Sequence, residues 1–169
     1  MSTEQEGRIA WPERSIIEVT GADAESWLQG QLTQDVRPAT HDTGAYGLCL
    51  TLTGRVLADV WFWRSAEGFF LLVPKSQQAL LLDHLNKYLL MEDADLATRP
   101  EAVFLVAPEA DGAVRLPLGA YGQAVALGAA DESGARPDDW VTAVTDRSVD
   151  LGQPRFGAEI PPDAVYPAE

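Results

Sequence analysis

Apolar and polar residues alternate along "SIIEVTG" (15–21), and its β-branched residues mark it as a strand. The period then changes. In "ADAESWLQGQL" (22–32), Trp27, Leu28 and Gln31 fall at helical spacing and Asp23 stands where it can cap the start, which predicts a short helix. A loop over 33–44 is punctuated by Pro38 and Asp42. Beyond it, two apolar runs flank Thr53-Gly54 in "AYGLCLTLTGRVLADVWFW" (45–63), the pattern of a β-hairpin, and "GFFLLVP" (68–74) adds a third strand. "SQQALLLDHLNKYLL" (76–90) is the clearest helix, with Leu81, Leu85, Tyr88 and Leu89 on its apolar face and Ser76 at the N-cap position.

The second half is richer in strands and less regular. Residues 93–99, 102–108, 113–119 and 123–128 read as strands, 129–139 as an acidic loop, and 140–151 as holding a short helix. Residues 1–13 are polar and read as a flexible N-terminus. Helices and strands mix without a strict βαβ repeat, so the expected class is α+β, built of mixed antiparallel sheets with a few packed helices.

One residue breaks the hairpin's pattern. Alternation puts Val56, Ala58, Val60 and Phe62 on one face and Leu57, Asp59, Trp61 and Trp63 on the other. A carboxylate between a leucine and two tryptophans has two readings. It is a partly desolvated group in an aromatic-lined pocket, where a ligand supplies N–H donors. Alternatively, the face is solvated and Asp59 pairs with Arg55 or Arg64.

The 169 residues suffice for one domain with a core, or for two small subdomains. The net charge of −14 argues against nucleic acid and against an anionic membrane face as partners, since both would be repelled. Solubility is the plain reading of that acidity. The single cysteine, Cys49, sits mid-strand and reads as a buried, inert thiol; with only His41 and His84 beside it, a structural zinc site is not expected. No apolar run reaches the ~18 residues of a membrane span, and "MSTEQEGRIAWPERS" lacks the signature of a signal peptide, so the cytoplasm is the expected compartment. Phosphate-binding glycine loops and the nucleophile elbow are absent from the sequence. The five tryptophans read as core rather than as a base-stacking platform.

Three stretches together resemble the glycine-cleavage T-protein (aminomethyltransferase) superfamily, and within it the YgfZ-like folate-binding branch. "IIEVTGADAESWLQGQLTQDV" (16–36) looks like the family's strand–helix entry. "AYGLCLTLTGRVLADVWFW" looks like its central hairpin with a Gly-Arg turn. "DRSVDLGQPRFGAEIPPDAVYPAE" (146–169) resembles the segment that carries a Gly-x-Pro-Arg-Phe-Gly phrase. The resemblance implies a folate-binding-like domain of two interleaved subdomains over residues 14–160, followed by a tail at 161–169 where the family's C-terminal domain begins.

The resemblance also implies a ligand, tetrahydrofolate or a derivative such as 5-formyltetrahydrofolate. Laid against the family pattern, Asp59 takes the place of the aspartate that contacts the reactive pterin region. Tyr46 becomes a pocket wall, Gly54 and Arg55 the turn, with Arg55 a partner for the folate carboxylate tail. "LVPK" (72–75) matches a strand end whose backbone borders the pocket, which adds Val73 and Pro74. Asp35 is a weaker candidate that can equally brace its loop.

Where the family often has two acids in a row, the first is Ala58 here. The sequence also stops before the Lys-Gly-Cys-Tyr-x-Gly-Gln-Glu signature and the C-terminal domain of the YgfZ-like branch. The expectation is therefore a folate-binding module that assists iron–sulfur enzyme maturation or one-carbon metabolism, the chain being a fragment, a half completed by a second chain that supplies the missing domain, or a solo domain with altered function. The alternative is a non-catalytic subunit of a larger folate-linked or amine-oxidising complex; active aminomethyl transfer is less expected.

Overall fold

In the computed structural model, residues 8–118 and 124–132 are described. The chain runs β1 (Ile9–Ala10), β2 (Arg14–Thr20), α1 (Ala24–Gln29), β3 (Ala45–Leu50), β4 (Val56–Arg64), β5 (Gly68–Pro74), a 3₁₀ turn (Lys75–Gln77), α2 (Gln78–Asn86), β6 (Asp95–Arg99), β7 (Ala102–Val106), β8 (Val114–Arg115) and β9 (Ala124–Gly128). The expected helix within 140–151, the Gly-x-Pro-Arg-Phe-Gly segment and the boundary at 160 lie outside the described residues.

Two antiparallel sheets form. One has the order β3-β4-β5-β2-β6, the other β1-β7-β9-β8. The expected α+β class with antiparallel sheets is the observed one. Strand periodicity explains the layering, because alternate residues of the five-stranded sheet serve two different cores. Ile17, Val19, Val60, Phe62, Phe69, Leu71 and Val73 face α1 and α2, where they meet Trp27, Leu28, Leu81 and Leu85. Ile16, Trp61, Trp63 and Leu72 face the second sheet and meet Val103, Leu105, Val114 and Val125. Fully burying one such side chain contributes about 1.5–3 kcal/mol, so each layer is a substantial core.

Several details depart from the sequence reading. The segment read as loose holds β1, paired with β7 through Ile9–Leu105 and Ala10–Phe104, and Trp11 is buried beyond it. Helix α1 is shorter than 22–32; Asp23 occupies its N-cap position, but its carboxylate accepts from the Asp93 backbone N–H instead. Helix α2 begins at Gln78, since Ser76 lies in the 3₁₀ turn.

The hairpin carries a β-bulge: Cys49 stands opposite Ala58 while Leu50 stands opposite Val56, so Leu57 is the extra residue. Alternation is interrupted there. Leu57 joins the helix-side core with Ala58, and not the face of Asp59, Trp61 and Trp63 to which the unbroken pattern assigned it.

Candidate functional site

The segment Trp11–Arg14 passes from one sheet to the other. The Trp11 backbone N–H donates to the Val103 carbonyl in the four-stranded sheet, and the Glu13 carbonyl accepts from Lys75 at the end of β5. This crossing lays Trp11 into the inter-sheet layer and delivers Arg14 at the start of β2, opposite Pro74. Pro74 is the last residue of β5, and Asp59 lies beyond it on β4. Arg14 reaches across. Its Nη1 donates to Asp59 Oδ1 at 2.7 Å and its Nη2 to Oδ2 at 3.0 Å. Both residues are buried, Asp59 to 2 % exposure and Arg14 to 8 %.

The guanidinium lies between two indoles, 4.6 Å from the Trp61 ring centre and 5.3 Å from that of Trp11. A planar cation suits that slot, because its faces meet the ring clouds while its edge forks onto the carboxylate. Tyr46, opposite Trp61 in the register, packs on it with ring centres 5.0 Å apart, and the Trp61 indole N–H donates to the Pro117 carbonyl.

Asp59 is therefore desolvated beside aromatics, but Arg14 meets both of its oxygens, so the structure matches neither sequence reading whole. Its partner is neither Arg55 nor Arg64. Arg64 is five positions on, which turns it to the opposite face; there it lies 4.7 Å over Phe69 and pairs with Glu25. Arg55 sits at the hairpin tip, separated from Asp59 by the bulge.

The other candidates spread out. Pro74 shares the Arg14–Asp59 neighbourhood. The Val73 side chain points into the helix-side core, so only its backbone is shared with the inter-sheet face. Gly54, at φ +77°, forms the exposed tip with Arg55, whose backbone exchanges hydrogen bonds with Thr51. Asp35 accepts three hydrogen bonds from Arg37, which holds its carboxyl below the usual range. It braces its own loop.

Beside the ion pair opens a cavity of about 380 Å³, lined in part by Trp11, Arg14, Ser15, Lys75, Arg99 and Glu101. Three cations of an acidic chain converge on it. Arg14 is committed to Asp59, and Arg99 to Glu18 and Glu101 at 3.0 and 2.6 Å. The Lys75 ammonium makes no ion pair among the described residues. The Ser15 hydroxyl is buried without a hydrogen-bond partner among the described residues. The cavity thus offers the Lys75 ammonium beside a wall to which Trp11 and Arg14 contribute, a set that suits a ligand with an anionic group. Sequence reasoning missed Trp11, Arg14 and Ser15, because only the crossing between sheets brings residues 11–15 to Asp59. Lys75 was within reach of the "LVPK" match.

Among the described residues, no helix is long and apolar enough to cross a membrane. The GCVT N-terminal domain family matches residues 13–110. The tRNA-modifying protein YgfZ of Escherichia coli O7:K1 is 29 % identical over 91 residues, covering 54 % of this chain and 28 % of that protein. The same protein of Escherichia coli O157:H7 is 30 % identical over 91 residues, with the same coverage. The crystal structure of the glycine cleavage system aminomethyltransferase T from Bartonella henselae superposes with a TM-score of 0.69 at 16 % identity, over 94 % of this chain and 54 % of that one. The chain thus spans little more than a quarter of the curated relatives' length.

Proposed function

Because the chain belongs to the GCVT N-terminal domain family, we propose that it is a YgfZ-like tetrahydrofolate-binding module that binds its ligand without transferring a one-carbon group. One observation carries this reading: both oxygens of Asp59 are held by Arg14, whose guanidinium borders the cavity lined by Trp11, Ser15 and Lys75. The residues fit the ligand. Lys75 meets a carboxylate of the glutamate tail, and Trp11 stands in the wall that borders the pterin. Tetrahydrofolate, when bound, supplies a reduced pterin able to carry a one-carbon unit. In this reading Asp59 is a positioning residue that orients Arg14, Tyr46 buttresses Trp61, and Val73 and Pro74 form the strand end that leads into Lys75. Gly54 and Arg55 have no part in it.

The doubly satisfied carboxylate favours a binding or non-catalytic subunit role over active aminomethyl transfer. The curated relatives are named for tRNA modification. With a net charge of −14, this chain's link to such a process runs through a protein, an iron–sulfur enzyme or a one-carbon enzyme in the cytoplasm, and not through RNA contact. Leu90 and Met91, 81 % and 95 % exposed, are apolar positions that a second chain could cover in this reading.

The test is calorimetric titration of the chain with 5-formyltetrahydrofolate, beside Lys75→Ala and Asp59→Ala. Binding by the wild type, weakened about tenfold in Lys75→Ala, is the expected result. A folded, monodisperse wild type that does not titrate overturns the reading.

A further inference from the structure

The cavity that Lys75 lines also holds an ion pair in its wall, between Arg99 and Glu101. Arg99 ends β6, on the far side of β2 from β5 and Lys75. Its guanidinium is occupied on two edges. On one, Nη1 donates to Glu18 Oε2 at 3.0 Å. On the other, Nη2 donates to Glu101 Oε1 at 2.6 Å, and Nε reaches both oxygens of the same carboxylate, at 3.2 and 3.3 Å.

The two carboxylates have different roles. Glu18 lies on β2, the strand beside β6, and its side chain is 13 % exposed, so it anchors the arginine to the sheet. Glu101 follows two residues later, past Pro100, and takes the Nε–Nη2 edge, a fork that fits a carboxylate or phosphate with two prongs. It sits where an anionic group of a bound ligand would sit. Arg99 beside it holds its carboxyl below the usual range, so this internal anion is charged at neutral pH.

Strength decides which arginine of the cavity a ligand can claim. Arg14 and Asp59 are both buried, and separating them would strand a charge away from water. The Arg99 side chain is 40 % exposed, and an exposed ion pair is worth no more than about fivefold in an equilibrium constant. A ligand group that replaces Glu101 therefore releases that carboxylate to water at little cost. Arg14 is closed to a ligand, and Arg99 is open by exchange. Lys75 and Arg99 approach from opposite sides of β2, so together they address two anionic groups rather than one.

We propose that Glu101 is a built-in competitor, which occupies the forked edge of Arg99 and yields it to the second anionic group of a ligand whose first is held by Lys75. This rests on the folate reading, and within it requires a ligand that keeps both carboxylates of the glutamate tail. The exchange makes Glu101 a specificity-determining residue: a monoacid spends its one anionic group on Lys75, whereas a diacid takes both cations.

The experiment is calorimetric titration of the whole chain with 5-formyltetrahydrofolate and with 5-formyltetrahydropteroate, which lacks the glutamate and has a single carboxylate. Glu101→Gln is expected to tighten the folate about fivefold and to change the pteroate by less than about twofold. The gain should vanish in Arg99→Met combined with Glu101→Gln. If Glu101→Gln titrates the folate as the wild type does, the competitor role falls while the folate reading stands. The role also falls if the gain extends equally to the pteroate or survives without Arg99, since loss of a negative charge then explains it. A wild type that titrates with neither ligand overturns the folate reading and the competitor role together.

Discussion

Arg14 and Asp59 are 45 positions apart in sequence and meet as a two-pronged ion pair across the end of β5, with the cation held between Trp11 and Trp61. The pair sits where the two sheets face each other, so it stands at the seam of the domain as well as at the candidate site. Two charges removed from water hold their place only when geometry and hydrogen bonding are good, and here both carboxylate oxygens are met.

Removing one partner leaves the other charge buried and unmet. Arg14→Met is expected to cost about 3–5 kcal/mol, read as a lower urea midpoint at unchanged slope. Arg14→Met combined with Asp59→Leu should recover most of that loss. If the single variant costs no more than a surface substitution, the pair is not buried in solution.

Cys49 is buried in the helix-side core, and loss of water around it pushes the thiol up to about 12 from an ordinary value of 9.0. The native protein should therefore resist thiol reagents at pH 8, and react fully once unfolded in urea. The sign for stability follows from linkage. Below pH 9 the thiol is protonated in both states and this contribution is complete. Between pH 9 and 12 the unfolded chain ionises first, so stability falls as pH rises. Cys49→Ala should flatten that alkaline limb in urea titrations.

Glycine matters at Gly68 for a different reason than at Gly54. A Cβ on Gly68 would stand 1.9 Å from the Val19 carbonyl oxygen, in the pairing of β5 with β2. Gly68→Ala should lower the melting temperature sharply. Gly54 has φ +77° and open space around it, so Gly54→Ala costs only the left-handed backbone, about 1 kcal/mol. A melting series on the two variants tests the ranking.

On α2, Leu81 is fully buried and Leu80 is 53 % exposed. Leu81→Ala should cost about 2–5 kcal/mol and Leu80→Ala under about 0.5 kcal/mol. Equal costs would mean that the helix packs in another rotation.

Elements whose signal is local were readable from the sequence. The strand at 15–21, the three-strand run 45–74 and the helix through Leu81 and Leu85 each declare themselves by period, and the structure places them there. What was not readable depends on register between distant strands. Nothing near Asp59 names Arg14 as its partner, because the pairing of β2 with β5 and of β5 with β4 decides it. Leu57 was assigned to the wrong face because a bulge leaves no mark in the alternation itself. Trp11 lay in a polar stretch, where a two-residue strand is too short to show a period.

The strand order carries a consequence for how the chain is made. Strands β3, β4 and β5 are neighbours in sequence and in space, so that meander closes through short loops. Strand β2, synthesised before all three, is seated between β5 and β6, and its Glu18 pairs with Arg99, 81 positions later. On the ribosome, β2 must wait for residue 74 to emerge before β5 can cover one edge, and for residue 99 before β6 can cover the other. Closing that span costs more loop entropy than closing the β3-β4-β5 meander. Until then the nascent chain presents an open strand edge that a chaperone or another chain can take up.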